Sequence, residues 1–395
     1  MQIYLDYSAT TPPRPEVIAL MRQVMEQQWG NPSSLHHWGN QAATTLERAR
    51  IQVAQLIHAP AETLTFTSGG TEADNLAIFG IVRRYRTPQH LIISRVEHSA
   101  ISEPARWLEQ QGWRVTRLPV DRQGWVNPLD LQAAIQPNTV LISVIWGQSE
   151  VGTLQSIEKL GAIARSQGIP FHTDAVQVAG RLPIDVQALP IDLLSLSSHK
   201  FYGPQGAGAL YVHPDLELLP LLGGGGQEHQ RRSGTQAIPA IAGFGLAAEL
   251  IQPEMEDETD RLTQLRDRLL ALLADTPLVL TGDRHRLPHH LSFCLPEQVL
   301  EATHSAEGLT GKNLVRQMNL AGIGISAGAA CSSGKVTPSP ILTSMGWSDR
   351  VAKTGIRLTL GRNTTLEDIE WTALVLQQVL DRLLPNPMLS NTTSK

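Results

Sequence analysis

Polar side chains follow several short β-rich runs in the first half of the chain, at the points where each run would end as a strand. The runs are Leu91 to Ser94, Val140 to Trp146, Pro170 to Asp174 and Leu193 to Ser197, and the side chains at or after their ends are Glu97-His98, Gln148-Ser149-Glu150, Asp174 with Gln177, and His199-Lys200. In open parallel sheets, ligands bind outside the carboxyl ends of the strands. The spacing therefore predicts one site that contains an acid, imidazoles and a lysine.

A glycine turn joins this set of residues. The run Thr63 to Thr67 leads into Ser68-Gly69-Gly70-Thr71-Glu72 and then into a helical pattern. The free N–H groups at the start of such a helix can hold a phosphate, although an isolated glycine pair is as well explained by a tight turn. An acid, a ring neighbour, a lysine and a phosphate cradle together match what pyridoxal phosphate requires.

The elements that must position these residues alternate between strand-like runs and helical spacing, as at Ile157, Leu160 and Ala164. This alternation predicts an α/β fold with a mostly parallel central sheet. Near Gln252-Pro253 the pattern changes to a long amphipathic helix, with leucines at 262, 265, 269 and 272 on one face. The last helix is predicted to start at Thr364-Thr365-Leu366-Glu367, which has capping-box spacing.

Domain limits follow from this change of pattern. We expect a large domain over residues 15–255, a smaller α+β domain over residues 256–385 together with residues 1–14, and a frayed tail over residues 386–395.

Composition excludes several classes of function. The chain has 395 residues, 32 Lys and Arg against 37 Asp and Glu, and a net charge of −5, with no long run of like charges that would indicate nucleic-acid binding. The apolar run Ala237 to Ala248 is shorter than the ~18 residues of a membrane span. The N-terminus lacks the pattern of a secretory signal. Two cysteines, Cys294 and Cys331, make no disulfide framework and no CxxC pair, so we expect a cytoplasmic protein without a structural zinc site.

The chain resembles the cysteine desulfurases of the NifS/IscS type, within the class V aminotransferase group of fold-type I pyridoxal phosphate enzymes. The resemblance rests on motifs along nearly the whole chain: YLDYSATTP, GNPSSLH, FTSGGTEADNLAI, EHSAI, HTDAVQ, SSHKFYGPQGAGALYV, GGGQE, RRSGT, SAGAACSSG and IRLTLGR. It implies the fold of that group and, as its activity, removal of sulfur from L-cysteine.

The resemblance implies roles around the cofactor ring. Lys200 of SSHK corresponds to the lysine that forms the internal Schiff base, and Asp174 to the partner of the pyridinium nitrogen. Gln177 corresponds to a donor to the ring phenolate oxygen, and His98 to a residue that stacks on the ring and acts as an acid or base. A carboxylate at Asp174 would keep the ring nitrogen protonated, which makes the ring an electron sink.

The resemblance also implies the phosphate and substrate contacts. Its phosphate cradle corresponds to Gly70, Thr71, Ser197 and His199, and Thr235 of RRSGT would reach the phosphate of a neighbouring subunit, which implies a homodimer. Arg357 corresponds to the clamp for the substrate carboxylate, a task that suits the planar guanidinium group. Asn31 of GNPSS is expected to contribute at the same place.

Two positions depart from the family pattern. Ser149 stands where the family usually has an asparagine that contacts the ring oxygen, so we keep Ser149 as a cofactor-binding residue and expect Gln177 to be the main donor. The Arg-Gly pair that usually follows GGGQE is replaced by His229-Gln230.

Cys331 distinguishes a desulfurase from related enzymes. It lies among small residues in GIGISAGAACSSGK, which predicts a mobile loop that can carry a thiol, whereas Cys294 lies in an alternating strand pattern typical of a buried thiol. By the resemblance, Cys331 would carry a persulfide to an iron–sulfur scaffold or sulfur-relay protein. It could also ligate an iron–sulfur cluster transiently through that persulfide, and no resident metal is expected.

Alternatives remain at this point. A C–S lyase, a selenocysteine lyase or an aminotransferase of the same fold type would share Lys200 and Asp174, and only the desulfurase requires Cys331 as a sulfur acceptor. A non-catalytic sulfur carrier or scaffold on the same fold is disfavoured by the intact Lys200, Asp174, His98 and Arg357.

Overall fold

The structure is a computed structural model that describes residues 2–302, 309–328 and 337–384. In chain order its strands are β1 (Ile3–Tyr4), β2 (Leu64–Thr67), β3 (His90–Ser94), β4 (Arg114–Leu118), β5 (Thr139–Ser143), β6 (Phe171–Asp174), β7 (Leu193–Ser197), β8 (Gly208–Val212), β9 (Val279–Leu280), β10 (His290–Cys294), β11 (Ile323–Gly324), β12 (Ser326–Ala327) and β13 (Ile356–Thr359). Its helices are α1 (Pro15–Gln27), α2 (His37–Leu56), α3 (Gly70–Val82), α4 (Ser99–Gln110), α5 (Pro128–Ala134), α6 (Ile157–Ser166), α7 (Ile238–Ile251), α8 (Met255–Leu272), α9 (Glu297–Ala302), α10 (Gly311–Leu320), α11 (Pro340–Ser344), α12 (Asp349–Ala352) and α13 (Leu366–Leu383).

The main sheet has seven strands in the order β2-β8-β7-β6-β5-β3-β4. Only β8 runs antiparallel to its neighbours, β2 and β7. The expected mostly parallel sheet is therefore confirmed. Strands β3, β5, β6 and β7 are buried along their whole length, which explains why β3, β5 and β7 are rich in Leu, Ile and Val and why none of them alternates strictly between apolar and polar residues.

Strand β5 is shorter than predicted, because its ladder ends at Ser143 rather than at Trp146. The backbone nevertheless continues alongside β6. The N–H groups of Val144 and Trp146 donate to the carbonyls of His172 and Asp174 at 3.1 and 3.0 Å. This extension brings the residues after Trp146 to the end of β6.

A second sheet lies in the C-terminal part of the chain, with the order β12-β13-β10-β9, and β1 pairs in parallel with β11 beside it. Helices α8 and α13 contribute Leu262, Leu269 and Leu376 to the apolar core of this region. Helix α7 instead packs in the core of the large sheet. The chain thus passes from one core to the other between α7 and α8.

We retain residues 15–255 and residues 256–385 with 1–14 as proposed domain limits, and the tail 386–395 lies outside the described residues. Within the described part of the chain, no helix is long and apolar enough to cross a membrane.

The cap of the last helix differs from the prediction by one residue. Thr365, not Thr364, accepts the N–H of Asp368, and Asp368 completes the capping box in place of Glu367. The hydroxyl of Thr364 is buried and accepts the N–H of Gly361 at 3.0 Å, so it is not free to cap the helix.

Candidate active site

Lys200 lies in a short turn directly after β7. Its Nζ donates to the carbonyls of Ser8 and Ala9 at 2.6 and 2.9 Å. Burial lowers the pKa of Lys200 to about 8, and the positive charge of Arg357 adds to this shift, while Asp174 opposes it. A neutral amine, the form that attacks an aldehyde, is therefore accessible near neutral pH.

Asp174 closes β6 and is buried, and its Oδ1 accepts the N–H of Val176 at 2.9 Å. Burial raises its pKa, whereas His98 and Lys200 lower it. A carboxylate oxygen of Asp74, a carboxylate oxygen of Asp174 and a ring nitrogen of His98 all lie within 4.8 Å of one another. A buried carboxyl in these surroundings gains most from a cation, and a protonated ring nitrogen would supply one.

His98 begins α4 as its N-cap, and its Nδ1 accepts the N–H of Ala100 at 3.2 Å. The neutral imidazole consequently carries its proton on Nε2. The side chain is exposed, although it lies next to the buried Asp174. One ring nitrogen thus fixes the orientation of the imidazole, and the other is free to hold or move a proton.

The N-terminal segment ties these groups together, and the sequence reasoning missed its contribution. The Nε2 of Gln177 donates to the Ser8 carbonyl at 2.9 Å, so Gln177 and Lys200 share one acceptor. Thr11 donates its N–H and its hydroxyl to the carbonyl of His199, both at 2.9 Å. The motif YLDYSATTP contains these residues, but their contacts use backbone carbonyls, which every residue has, so the residue types did not indicate them.

The predicted phosphate turn starts α3 at Gly70, as expected. A Cβ at Gly70 would lie 2.8 Å from Val176 Cγ2 and 3.4 Å from Ser197 Cβ, so the turn packs against the ends of β6 and β7. Strand β8 packs closely against the same turn, because a Cβ at Gly208 would lie 2.5 Å from the backbone of Gly69. Thr71, the next residue of this first helical turn, is exposed, and the free N–H groups at the start of α3 can receive an anion.

His199 is held by the N-terminal segment rather than by this turn. Its Nδ1 lies 3.1 Å from the hydroxyl of Thr10. Burial lowers its pKa to about 4, and Lys200 adds to the shift, so the ring is neutral at neutral pH. Its place in a phosphate cradle stays a prediction.

Arg357 lies on β13, as the sequence predicted. Its Nη2 donates to Asp6 Oδ1 at 2.7 Å, and its Nη1 donates to the carbonyl of Ser149 at 2.8 Å. Within the described part of the chain its Nε is buried and has no hydrogen-bond partner. The guanidinium group is therefore fixed by Asp6 and Ser149 through two of its five N–H donors, and the others, Nε–H among them, stay available for a ligand such as a carboxylate.

Ser149 contacts its neighbours through its backbone. Its carbonyl also lies 3.1 Å from Nε2 of His290, so two side chains fix this peptide. The role of its hydroxyl towards a cofactor stays a prediction.

Two predicted residues, Asn31 and Thr235, have no hydrogen bond to this cluster within residues 2–302, 309–328 and 337–384. Asn31 is exposed and its Oδ1 accepts the N–H of Ser33 at 2.9 Å, and Thr235 is exposed on its loop. Cys331 lies outside the described residues. Cys294 is buried on β10, as expected, and burial raises the pKa of its thiol to about 12.

Two buried acids lie near the site: Glu97, which follows β3 as the sequence predicted, and Asp74, which was not found from the sequence. Glu97 accepts the N–H of Ile145 at 2.9 Å and a hydrogen bond from the Ser94 hydroxyl, and burial raises its pKa to about 8. Asp74 of α3 is buried, and burial with the nearby Asp174 raises its pKa well above the usual range. An acid inside an apolar helix was the only sequence signal for Asp74.

Comparisons with known proteins agree with this arrangement. The family described as aminotransferase class V matches residues 3–371. The cysteine desulfurase IscS of Dictyoglomus turgidum is 42% identical over 386 residues, which are 97% of this chain and 95% of that protein. A solved NifS-like protein superimposes with a TM-score of 0.89 at 29% identity, covering 97% of this chain and 100% of the other. A structure described as SspA in complex with cysteine gives a TM-score of 0.80 at 33% identity, covering 91% and 99%.

The chain belongs to the class V aminotransferase family of pyridoxal phosphate enzymes, and within it to the cysteine desulfurases of the NifS/IscS type.

Proposed function

We propose that this protein removes sulfur from L-cysteine, releases L-alanine and holds the sulfur as a persulfide on Cys331. The observation that carries the proposal is the convergence of the Lys200 amine, the buried Asp174 carboxyl and the exposed His98 imidazole at one edge of the sheet. Membership of the family supports the same reaction.

The residues present fit pyridoxal phosphate as the cofactor. Lys200 would hold its aldehyde carbon, and Asp174 its ring nitrogen, while Gln177 and Ser149 would lie at its ring oxygen. Its phosphate would be held by Gly70, Thr71, Ser197 and His199, with Thr235 from a second copy of the chain. When bound, the cofactor withdraws electrons from the substrate α-carbon.

The chain's own side chains then have distinct tasks. Arg357 binds the substrate carboxylate through its free Nε, and Asn31 assists. His98 moves a proton through Nε2, because its Nδ1 is held by the N–H of Ala100. The Cys331 thiolate attacks the substrate sulfur, so a sulfur–sulfur bond forms while the carbon–sulfur bond breaks. The electron pair left on the carbon side is finally protonated, which gives alanine.

A homodimer is part of the proposal. Trp29, Leu35 and Trp38 are 67%, 95% and 49% exposed, and the rings of Trp29 and Trp38 stack with centroids 6.2 Å apart. Such a patch favours an interface.

Mixed dimers test the shared site. Lys200→Ala chains and chains with a bulky residue at Thr235 should each be inactive alone and should regain activity when mixed. In a mixed dimer one site holds both substitutions, and the other site is intact. Failure in verified mixed dimers would contradict a shared site.

The sulfur acceptor and the location are finer parts of the proposal. We place the acceptor among iron–sulfur scaffold or sulfur-relay proteins, in line with the relatives named IscS. A cytoplasmic location is supported by the use of a free, reactive thiol, which reducing surroundings protect.

The proposal is tested by loading purified protein with pyridoxal phosphate, reducing it with borohydride and mapping the labelled peptide. Label on Lys200 and L-alanine formation from L-cysteine are the expected results. Label on another lysine, or pyruvate in place of alanine, would contradict the proposal.

A further inference from the structure

Three consecutive residues of the loop 226–235 have a left-handed backbone. The φ angles of Glu228, His229 and Gln230 are +51°, +56° and +65°. This region favours glycine, and Gln230 stands where a glycine is usual in the family pattern. Such a backbone persists only where its surroundings hold it, and it concentrates at functional sites.

The side chain of Glu228 provides that hold. Its carboxylate is 1% exposed and accepts two hydrogen bonds from Arg50, at 2.7 and 2.9 Å, while Arg50 is 3% exposed. It also accepts the N–H of Phe66 at 2.9 Å and the Nε2 of Gln236 at 3.0 Å. Burial alone would raise the pKa of Glu228, but these donors lower it, so the carboxylate is charged. The loop is thereby fastened to β2, the strand that leads into the phosphate turn.

The other end of the loop contacts the phosphate turn itself. Arg232 donates from Nε and Nη2 to the carboxylate of Glu72 at 2.8 and 3.3 Å. Glu72 in turn accepts the N–H of Ser68 at 2.8 Å. Within the loop, Gln227 accepts the N–H of Gly234 at 2.9 Å, which holds its two ends together.

We propose that Glu228, through its buried ion pair with Arg50, is a positioning residue for cofactor binding. The pair keeps the loop 226–235 in its left-handed shape, and Arg232 then holds Glu72 and the turn at residues 68–72 in the form that receives the phosphate. This inference rests on the proposed function, because it takes the turn as the binding site for the pyridoxal phosphate group.

The test measures the affinity of cofactor-free protein for pyridoxal phosphate by absorbance titration, together with the rate of trypsin cleavage after Arg231 and Arg232. Glu228→Gln should weaken cofactor binding about tenfold, which corresponds to a turn that keeps its binding form in about a tenth of the molecules. Cleavage in the loop should become faster. Adding Gln230→Gly to Glu228→Gln should restore part of the affinity, because glycine adopts the left-handed backbone without help.

The matched control is Glu254→Gln, which breaks an arginine–carboxylate pair with Arg14 outside the loop and should leave cofactor affinity unchanged. If Glu228→Gln does not fold, Arg232→Gln replaces it, since Arg232 is 21% exposed and, among the residues that the structure describes, its side chain pairs with Glu72.

The outcomes separate the inference from the proposed function. Wild-type protein that binds no pyridoxal phosphate would overturn the proposed function. Wild-type affinity in Glu228→Gln, or in Arg232→Gln where that variant is used, would overturn the positioning role alone. A Glu228→Gln defect that Gln230→Gly does not reduce would also overturn it, because the ion pair would then not act through the left-handed turn.

Discussion

Burial, rather than a neighbouring base, makes the amine of Lys200 reactive, because it lowers the pKa of this amine. Because burial lowers its pKa to about 8, the neutral fraction of its amine rises about tenfold per pH unit below that value. We predict that the rate of covalent attachment of pyridoxal phosphate to cofactor-free protein rises with pH and levels off near pH 8. Lys200→Ala should show no attachment. A rate that still rises steeply above pH 9 would contradict the effect of burial.

Ser149 offers a second prediction at the scale of one residue. Its peptide is fixed by Arg357 and His290, so a change of its side chain leaves the backbone in place. Ser149→Asn should add a hydrogen bond to the ring oxygen and shift the pH dependence of the visible cofactor band. Ser149→Ala is the matched control and should titrate close to wild type, because Gln177 is expected to be the main donor to the ring oxygen. If Ser149→Asn also titrates like wild type, Gln177 or water already fills the role.

The sequence identified the side chains of the site better than their partners. Asp174, His98 and Lys200 were predictable because each lies at or after the end of a buried strand. Lys200 donates to the carbonyl of Ser8, which lies 192 positions earlier in the chain. This contact was not predictable. The residues around a lysine do not indicate which distant backbone carbonyl will accept its hydrogen bond.

At the scale of elements, the left-handed turn at residues 228–230 makes a stability prediction. Gln230→Gly should raise the free energy of unfolding by about 0.5–1 kcal/mol, because the left-handed cost to a non-glycine residue exceeds the entropy that glycine adds to the unfolded chain. Gln167→Gly is the control, since Gln167 has a φ of −104° and the change should slightly destabilise the protein. Urea unfolding of both variants gives the comparison, and equal losses would contradict a strained turn.

Element prediction from the sequence succeeded where periodicity was strong and failed where tertiary contacts decided. The amphipathic helix α8 and strand β7 were both predicted. Strands β4 and β8 were missed. Strand β4 is only half-buried, and its polar residues interrupt the run of apolar residues that identifies a buried strand. Strand β8 follows a glycine-rich stretch, which is typical of a loop. The cap of α13 was misplaced because Thr364 already bonds to Gly361.

For the whole molecule, the buried acids predict how stability depends on pH. Burial raises the pKa of Glu97 and of Glu150 to about 8, above the unfolded value near 4.5. A group whose pKa is raised in the folded state contributes its stability fully below the unfolded pKa and loses it as the pH rises through the folded pKa. The contribution of these two acids to stability should therefore fall between pH 5 and pH 8, by at most about 1.4 kcal/mol per pH unit for each group. The buried neutral histidines, such as His199 with its pKa lowered to about 4, act in the opposite direction below the usual histidine value of 6.5.

Glu97→Gln is the variant that tests this dependence, because it keeps the shape of the protonated acid. Between pH 5 and pH 8, the free energy of unfolding of Glu97→Gln minus that of wild type should rise, because the variant has no proton to lose at position 97. Glu103→Gln, which changes an exposed acid on α4, is the control and should follow the wild-type curve. Parallel curves for Glu97→Gln and wild type would contradict a proton held on Glu97.

The N-terminal segment joins the two parts of the molecule around the site. Tyr4 pairs with Gly324 on the side of the small sheet, whereas Ser8 accepts from Lys200 at the edge of the large one. Asp6 fixes Arg357 between them at 2.7 Å. Arg357 and Lys200, the proposed groups for the substrate carboxylate and the cofactor aldehyde, thus both bond to one short stretch of chain.

Transfer of sulfur to Cys331 is the central claim, and mass spectrometry of this thiol tests it most directly. After exposure of the loaded enzyme to L-cysteine, the peptide with Cys331 should carry one added sulfur atom and the peptide with the buried Cys294 none. Cys331→Ser should still bind L-cysteine and should lose alanine production. If Cys331→Ser releases sulfide at the wild-type rate, with pyruvate in place of alanine, the protein is a C–S lyase and the account is contradicted.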